Sequence, residues 1–141
     1  MKERLRGLGF RLTEPRLAVL DVIENEGRHK DAEFIISAAR TRVPRLSRQA
    51  VYDNLNALVA AGVLRRIEPA GSPALYETRV GDNHHHLVCR VCTVTLDIDC
   101  VIGEAPCLAP AESHGFEIDE AEIVFWGICP QCKSKESKHD N

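Results

Sequence analysis

The strongest constraint on this chain is a pair of short cysteine motifs, Cys89-Arg-Val-Cys92 and Cys129-Pro-Gln-Cys132. Two residues between cysteines make a tight knuckle, and two knuckles can offer four thiolates to one tetrahedral Zn²⁺. The segment between the pairs is longer than in a compact zinc ribbon, with room for a strand and a short crossover. Two further cysteines, Cys100 and Cys107, stand outside the motifs. The opening MKERLRGLGF is charged with no apolar stretch behind it, so the expectation is a cytoplasmic protein without signal peptide or membrane span. In that compartment, paired cysteines point to a metal site rather than to a disulfide framework. Aromatic residues are only 5% of the chain, so zinc would supply much of the folding free energy of the cysteine-bearing part.

Ahead of the cysteines the periodicity is helical. Thr13 can cap a helix that starts at Glu14 and carries Leu17, Leu20 and Ile23 at helical spacing, with Gly27 as a stop. Asp31 can cap a second helix with Ala32, Ile35, Ile36 and Ala39 on its apolar face, ended by Val43-Pro44. Ser47 can cap a third, SRQAVYDNLNALVAAG, whose buried stripe is Val51, Leu55, Leu58 and Val59 and whose stop is Gly62. Arg48, Gln49, Tyr52, Asp53 and Asn56 lie away from that stripe. VLRRIEP and ALYETR flank the turn AGSP as a β-hairpin.

That order of elements is a winged helix-turn-helix, in which the third helix enters the DNA major groove and the hairpin touches backbone. Charge agrees with a polyanionic partner for this half: residues 1–80 hold 14 Lys+Arg against 10 Asp+Glu, whereas residues 81–141 hold 4 against 11. From residue 84 the pattern turns to alternation, in TVTLDID and again in EIVFWGI, with Pro106 and Pro110 breaking any helix between them. The expected fold class is therefore α+β, with a DNA-binding domain at 1–80 and a small α/β domain at 81–141 built around a Cys₄ zinc site. The polar end KSKESKHDN is expected to fray.

A second set of donors lies next to the first cysteine pair, in HHHLVC. On a strand His84 and His86 share one face and His85 takes the other, so the first two can bind one metal together. Glu77, Asp97 and His29 are nearby donors in sequence or on the adjoining elements. Nitrogen with carboxylate oxygen, and no thiolate, suits Fe²⁺, Mn²⁺ or Zn²⁺. A metallohydrolase is the rival use of such a cluster, but H-E-x-x-H is absent and no general base stands beside the histidines. A zinc-stabilised interaction module is the other rival, and it would show no salt-dependent DNA binding.

Taken in order, RLTEPR, HKDAE, SRQAVYDNLNAL, LYET, HHHLVC and the two cysteine pairs resemble the ferric uptake regulator (Fur) family of bacterial metal-dependent repressors, over roughly residues 5–132. The run VGDNHHHLVCR with DCVIGEAPC is similar to the actinobacterial FurA/CatR type, which is associated with catalase genes. The resemblance implies a homodimer on inverted-repeat operator DNA, not an enzyme. It implies structural zinc on Cys89, Cys92, Cys129 and Cys132, and regulatory Fe²⁺ or Mn²⁺ on His29, Glu77, His84, His86 and Asp97. It implies DNA contacts from Arg11, ahead of the LTEPR helix, and from Tyr52 in the third helix, where Arg48 and Gln49 also lie. Aspartate at position 97 is similar to the peroxide-sensing members, which implies release of the repressor by oxidation of a ligand histidine; an iron- or zinc-uptake repressor is the alternative within the family. Three departures stand out. Asp53 replaces the arginine of many members, a further family metal site would read Asn83, His85, Glu104 and Ala121 and is expected to be weak or absent, and Thr93 replaces the usual glycine of the knuckle.

Overall fold

The computed structural model describes residues 1–26, 29–80, 84–99, 111–118 and 122–136. Gly27, Asn83, Cys100, Glu104, Pro106, Cys107, Pro110, Ala121 and the end of the tail, each given a part above, lie outside the described residues. The chain divides into two compact units, Met1–Gly81 and Asp82–Asn141.

The first unit opens with a helix that periodicity had not suggested, α1 (Lys2–Gly7), followed by α2 (Glu14–Asn25), β1 (Lys30–Asp31), α3 (Ala32–Arg40), α4 (Arg48–Ala60), β2 (Arg65–Ile67) and β3 (Leu75–Glu77). A single buried residue, Leu5, is the apolar anchor of α1, too little to register as a pattern. Its end is nonetheless written in the sequence. Gly9 sits at φ +79, and Gly9 N–H and Phe10 N–H donate back to the carbonyls of Arg6 and Leu5. This left-handed closure favours glycine, and Gly62 (φ +65) ends α4 the same way through Val59 and Leu58.

Asp31 and Ser47 cap as expected: their side-chain oxygens accept from Phe34 N–H (2.8 Å) and Ala50 N–H (3.0 Å). Thr13 occupies the cap position of α2 in extended conformation, but its hydroxyl makes no capping bond. The apolar faces of α2, α3 and α4 meet in one core that includes Val19, Ile23, Ile35, Val51, Leu55 and Leu58, with Leu5 packed in. Behind the helices β2 and β3 pair antiparallel, Arg66 opposite Tyr76. The two residues of β1 add a third strand to β3, which makes the wing a sheet of order β1-β3-β2.

The second unit is a three-stranded sheet of order β5-β4-β6 followed by a helix. Central β4 (His84–Cys89) pairs antiparallel with β5 (Thr95–Asp99) and parallel with β6 (Val124–Gly127). Helix α5 (Pro130–Glu136) begins inside the second cysteine motif, so the segment expected to fray is helical as far as Glu136. No described helix is long and apolar enough to cross a membrane.

Because Leu5 is wholly buried although α1 is only six residues long, Leu5→Ala is expected to destabilise the first unit by about 2–5 kcal/mol. Urea unfolding followed by circular dichroism measures this; an unchanged midpoint would mean that α1 does not belong to the cooperative core.

Candidate metal centres

Strand β4 delivers both donor sets. Its C-terminal end brings Cys89 to the turn that holds Cys92, and the parallel partner β6 leads into Cys129 and Cys132 at the start of α5. The sulfurs of the four cysteines all lie within 4.8 Å of one another, and Cys92 Sγ is 3.7 Å from Cys129 Sγ. Four thiolates at 2.3 Å from a tetrahedral zinc would stand roughly 3.8 Å apart. No disulfide joins these four. Backbone N–H groups of Cys92 and then Cys129 stabilise the Cys89 thiolate and bring its pKa down to about 6. Cys132 goes the other way, up to about 12, through its hydrogen bond with Cys129 and then burial. One thiol of the cluster thus ionises readily and another resists adding its charge to the same small space. A bound dication reverses that resistance, so the residues fit structural zinc, bound with release of protons.

The knuckle carries strain. Thr93, the residue expected to be awkward there, adopts φ +61, a left-handed conformation that a β-branched side chain rarely takes. Its N–H closes the turn onto Cys89 O (3.0 Å) and its hydroxyl donates to Cys92 O (2.7 Å), which partly offsets the cost.

The N-terminal end of β4 holds the histidines, all buried. His84 and His86 share a face, their rings 4.9 Å apart and edge-on. The Nε2 atoms of both lie 3.8 Å from the same carboxylate oxygen, Asp97 Oδ1, on the neighbouring strand β5. Asp97 reaches that point because β4 and β5 pair with His86 opposite Asp97. Two imidazoles and one carboxylate oxygen, turned toward one point beyond direct hydrogen-bonding distance, fit two nitrogens and an oxygen around a common divalent cation. His85 faces the other way, toward the ring of Phe125, and its buried Nδ1 has no hydrogen-bond partner among the described residues.

In the first unit His29 Nε2 and Glu77 Oε2 are 2.8 Å apart, with Glu77 wholly buried and Arg65 Nε 3.9 Å from its other oxygen. His29 has φ +60, a conformation that turns the chain into β1, and β1 pairs with the strand that ends in Glu77. Sequence reasoning passed over Glu122, whose Oε1 is 3.0 Å from His86 Nδ1. The only sequence signal for it is an acid directly before the apolar run that becomes β6.

The residues expected to face DNA lie on the first unit. Arg11 is exposed, and Arg16 holds its segment: Arg16 Nη1 donates to Arg11 O (2.6 Å) while Nε donates to Asn54 Oδ1 on α4 (3.0 Å). Arg48 and Gln49 project from the first turn of α4, and both have partners. Arg48 forks onto the two oxygens of Glu33 on α3, a contact that holds the Glu33 carboxyl below its usual range. Gln49 Nε2 donates to Asp53 Oδ1 (2.7 Å) one turn on. Tyr52 is half-buried against the core.

Comparison with known proteins finds relatives over nearly the whole chain. The sequence profile of the ferric uptake regulator family matches residues 7–126. The transcriptional regulator FurA of Mycobacterium tuberculosis is 52% identical over 139 residues, covering 99% of this chain and 94% of that protein. The peroxide operon regulator of Bacillus subtilis is 27% identical over 136 residues, covering 96% and 92%. Among solved structures, the ferric uptake regulator of Francisella tularensis, determined with iron, superposes with a TM-score of 0.71 at 23% identity over 89% of this chain and 96% of that one.

The strain at Thr93 leads to a direct expectation. Thr93→Gly should remove a left-handed penalty of about 1–3 kcal/mol at a cost of about 0.5–1 kcal/mol in backbone entropy. The zinc-loaded variant should therefore melt higher than the parent in calorimetry; a lower melting temperature would show that the threonine hydroxyl outweighs the strain.

Proposed function

This chain belongs to the ferric uptake regulator family, whose members matched here are transcriptional regulators and not enzymes, and from that premise we propose that it is a cytoplasmic, metal-dependent repressor of oxidative-stress genes, catalase genes among them. It acts as a homodimer on inverted-repeat operator DNA and leaves the operator when peroxide oxidises it. The carrying observation is the convergence of His84, His86 and Asp97: a nitrogen and carboxylate donor set, separate from the thiolates, with aspartate as its acid. The likeness to a regulator named for a peroxide operon supports the same reading.

Structural zinc falls to Cys89, Cys92, Cys129 and Cys132. The regulatory Fe²⁺ or Mn²⁺ falls to His84, His86 and Asp97 from the second unit and to His29 and Glu77 from the first. A metal that draws ligands from two units favours the arrangement in which both sets reach it, by no more than the difference in its affinity for the two arrangements. Bound Fe²⁺ supplies the one-electron reduction of hydrogen peroxide. The residues at risk are the imidazoles, and a ring that has gained oxygen is a poor donor. The homodimer is supported by the apolar row Leu87, Leu96 and Phe125, which runs across all three strands of the second sheet at matching register and is exposed.

DNA reading falls to α4. Tyr52→Ala is expected to cost about 1–3 kcal/mol on the operator with relaxed preference at the contacted base, whereas Arg11→Ala weakens all duplexes more evenly and lowers the salt slope. Fluorescence anisotropy on specific and scrambled duplexes at several salt concentrations separates the two; normal operator binding by Tyr52→Ala would mean the recognition face is elsewhere.

For sensing, His84→Ala and His86→Ala should abolish metal-dependent operator binding while leaving the cysteine zinc in place. In the iron-loaded parent, brief peroxide exposure should add one oxygen, about 16 Da, to the peptide containing His29 or that containing His84–His86. Loss of DNA binding with oxidation confined to cysteine would replace this mechanism by a thiol switch, and loss of neither would favour an uptake repressor.

A further inference from the structure

Glu122 has no part in the sites expected from sequence, yet it makes a close contact with the most buried of the metal-facing histidines. His86 is fully buried, and its Nδ1 lies 3.0 Å from Glu122 Oε1. The opposite edge of the same ring, Nε2, faces Asp97 Oδ1 at 3.8 Å, the oxygen that His84 Nε2 also faces. We propose that Glu122 is a positioning residue for the regulatory metal: it accepts the Nδ1 proton of His86, fixes that ring as the Nδ1–H tautomer, and leaves the Nε2 lone pair aimed at the point shared with His84 and Asp97. The proposal rests on the reading of His84, His86 and Asp97 as metal ligands.

The physical argument has three steps. A carboxylate accepts hydrogen bonds and donates none, so the proton between His86 and Glu122 belongs to Nδ1. A neutral imidazole then has its one lone pair on Nε2, and only that nitrogen can ligate. The backbone makes the arrangement rigid: His86 N–H donates to the carbonyl of Ile123 (3.1 Å), next to Glu122, and His86 pairs with Val124 at the start of β6. A carboxylate behind a ligating histidine fixes ring orientation and raises its basicity, and removing such a partner typically weakens metal binding by about 10–100-fold. Glu122 is also partly open to solvent, with 38% of its side chain exposed, while His86 has none. It can therefore be replaced without opening a cavity in the core.

Two other roles are possible for this contact, and measurement separates them. Glu122 could hold His86 as an imidazolium in a purely structural ion pair with Asp97 on the far side, or it could itself ligate the metal. The test uses the full-length, zinc-loaded chain. Mn²⁺ affinity is measured by electron paramagnetic resonance, and the His86 tautomer is read from ¹⁵N shifts and couplings before Mn²⁺ is added. The expected result is a neutral Nδ1–H ring in the parent. Glu122→Ala should mix the tautomers and raise the Mn²⁺ dissociation constant about 10–100-fold, with unchanged zinc content and melting temperature. Glu122→Gln, whose amide oxygen can still accept from Nδ1–H, should restore the tautomer and part of the affinity. A doubly protonated His86 in the parent at neutral pH overturns the proposal, as does Glu122→Ala with parental affinity and tautomer. Loss of Mn²⁺ binding in Glu122→Ala as complete as in His86→Ala also overturns it, making Glu122 a ligand. If His86→Ala itself keeps parental Mn²⁺ binding, the reading of the regulatory site fails instead.

Discussion

Four thiol sulfurs held within 4.8 Å of one another are a constraint that the rest of the second unit is built to satisfy. Left alone, they cannot all ionise readily in so small a space: backbone N–H groups bring Cys89 down, while the hydrogen bond with Cys129 and then burial push Cys132 up. A divalent cation resolves it, because each added thiolate then gains attraction rather than repulsion. The described apolar side chains of this unit do little of the same work. Leu87, Val94, Leu96, Phe125 and Ile128 are all exposed in the isolated chain. Among the described residues this sheet has little core of its own, so the sulfur–metal bonds and the second copy proposed above would contribute stabilisation that these side chains do not.

The same strand that anchors the sulfurs also orders the imidazoles. Side chains alternate along β4, so His84 and His86 share one face while His85 and Leu87 share the other. Pairing with β5 on one side supplies Asp97, and pairing with β6 on the other supplies Glu122. The cysteine cluster fixes where β4 ends and how β6 lies beside it. The histidine cluster three residues away is therefore tied through β4 and β6 to the sulfur cluster, although the two donor sets share no atom.

Much of this was legible in the sequence because the signals are local. Capping residues, helical spacing and two cysteine knuckles define α3, α4 and the sulfur cluster without knowledge of the fold, and Asp31 and Ser47 bond as their positions imply. What escaped depends on distant pairing. The short helix α1 has one buried residue to announce it, and β1 is two residues that form a strand only because β3 is beside them. Glu122 is 36 residues from His86, and nothing in spacing or composition joins them; only the parallel register of β6 on β4 does. Parallel pairing is the least visible feature of a sequence, since it leaves no turn to mark it.

Helix α4 presents a related contrast between residue type and availability. Arg48 is the kind of residue that reads guanine, yet its guanidinium is occupied by Glu33, and Gln49 is occupied by Asp53. These are exposed, solvent-screened contacts, and each is weak. A bidentate contact to the right base is worth about 1–3 kcal/mol. Exchange of Glu33 for a base edge is therefore favourable only where the base offers both acceptors, while a poor match or a lone phosphate returns little more than the contact given up. If α4 contacts DNA as proposed above, Glu33 and Asp53 would lower the net gain from non-specific binding more than they lower the gain from a matched site. On the proposed reading of α4 as the DNA-contacting helix, in a unit whose surplus of positive charge is small, discrimination would depend on these two carboxylates as much as on the Arg48 and Gln49 side chains they hold.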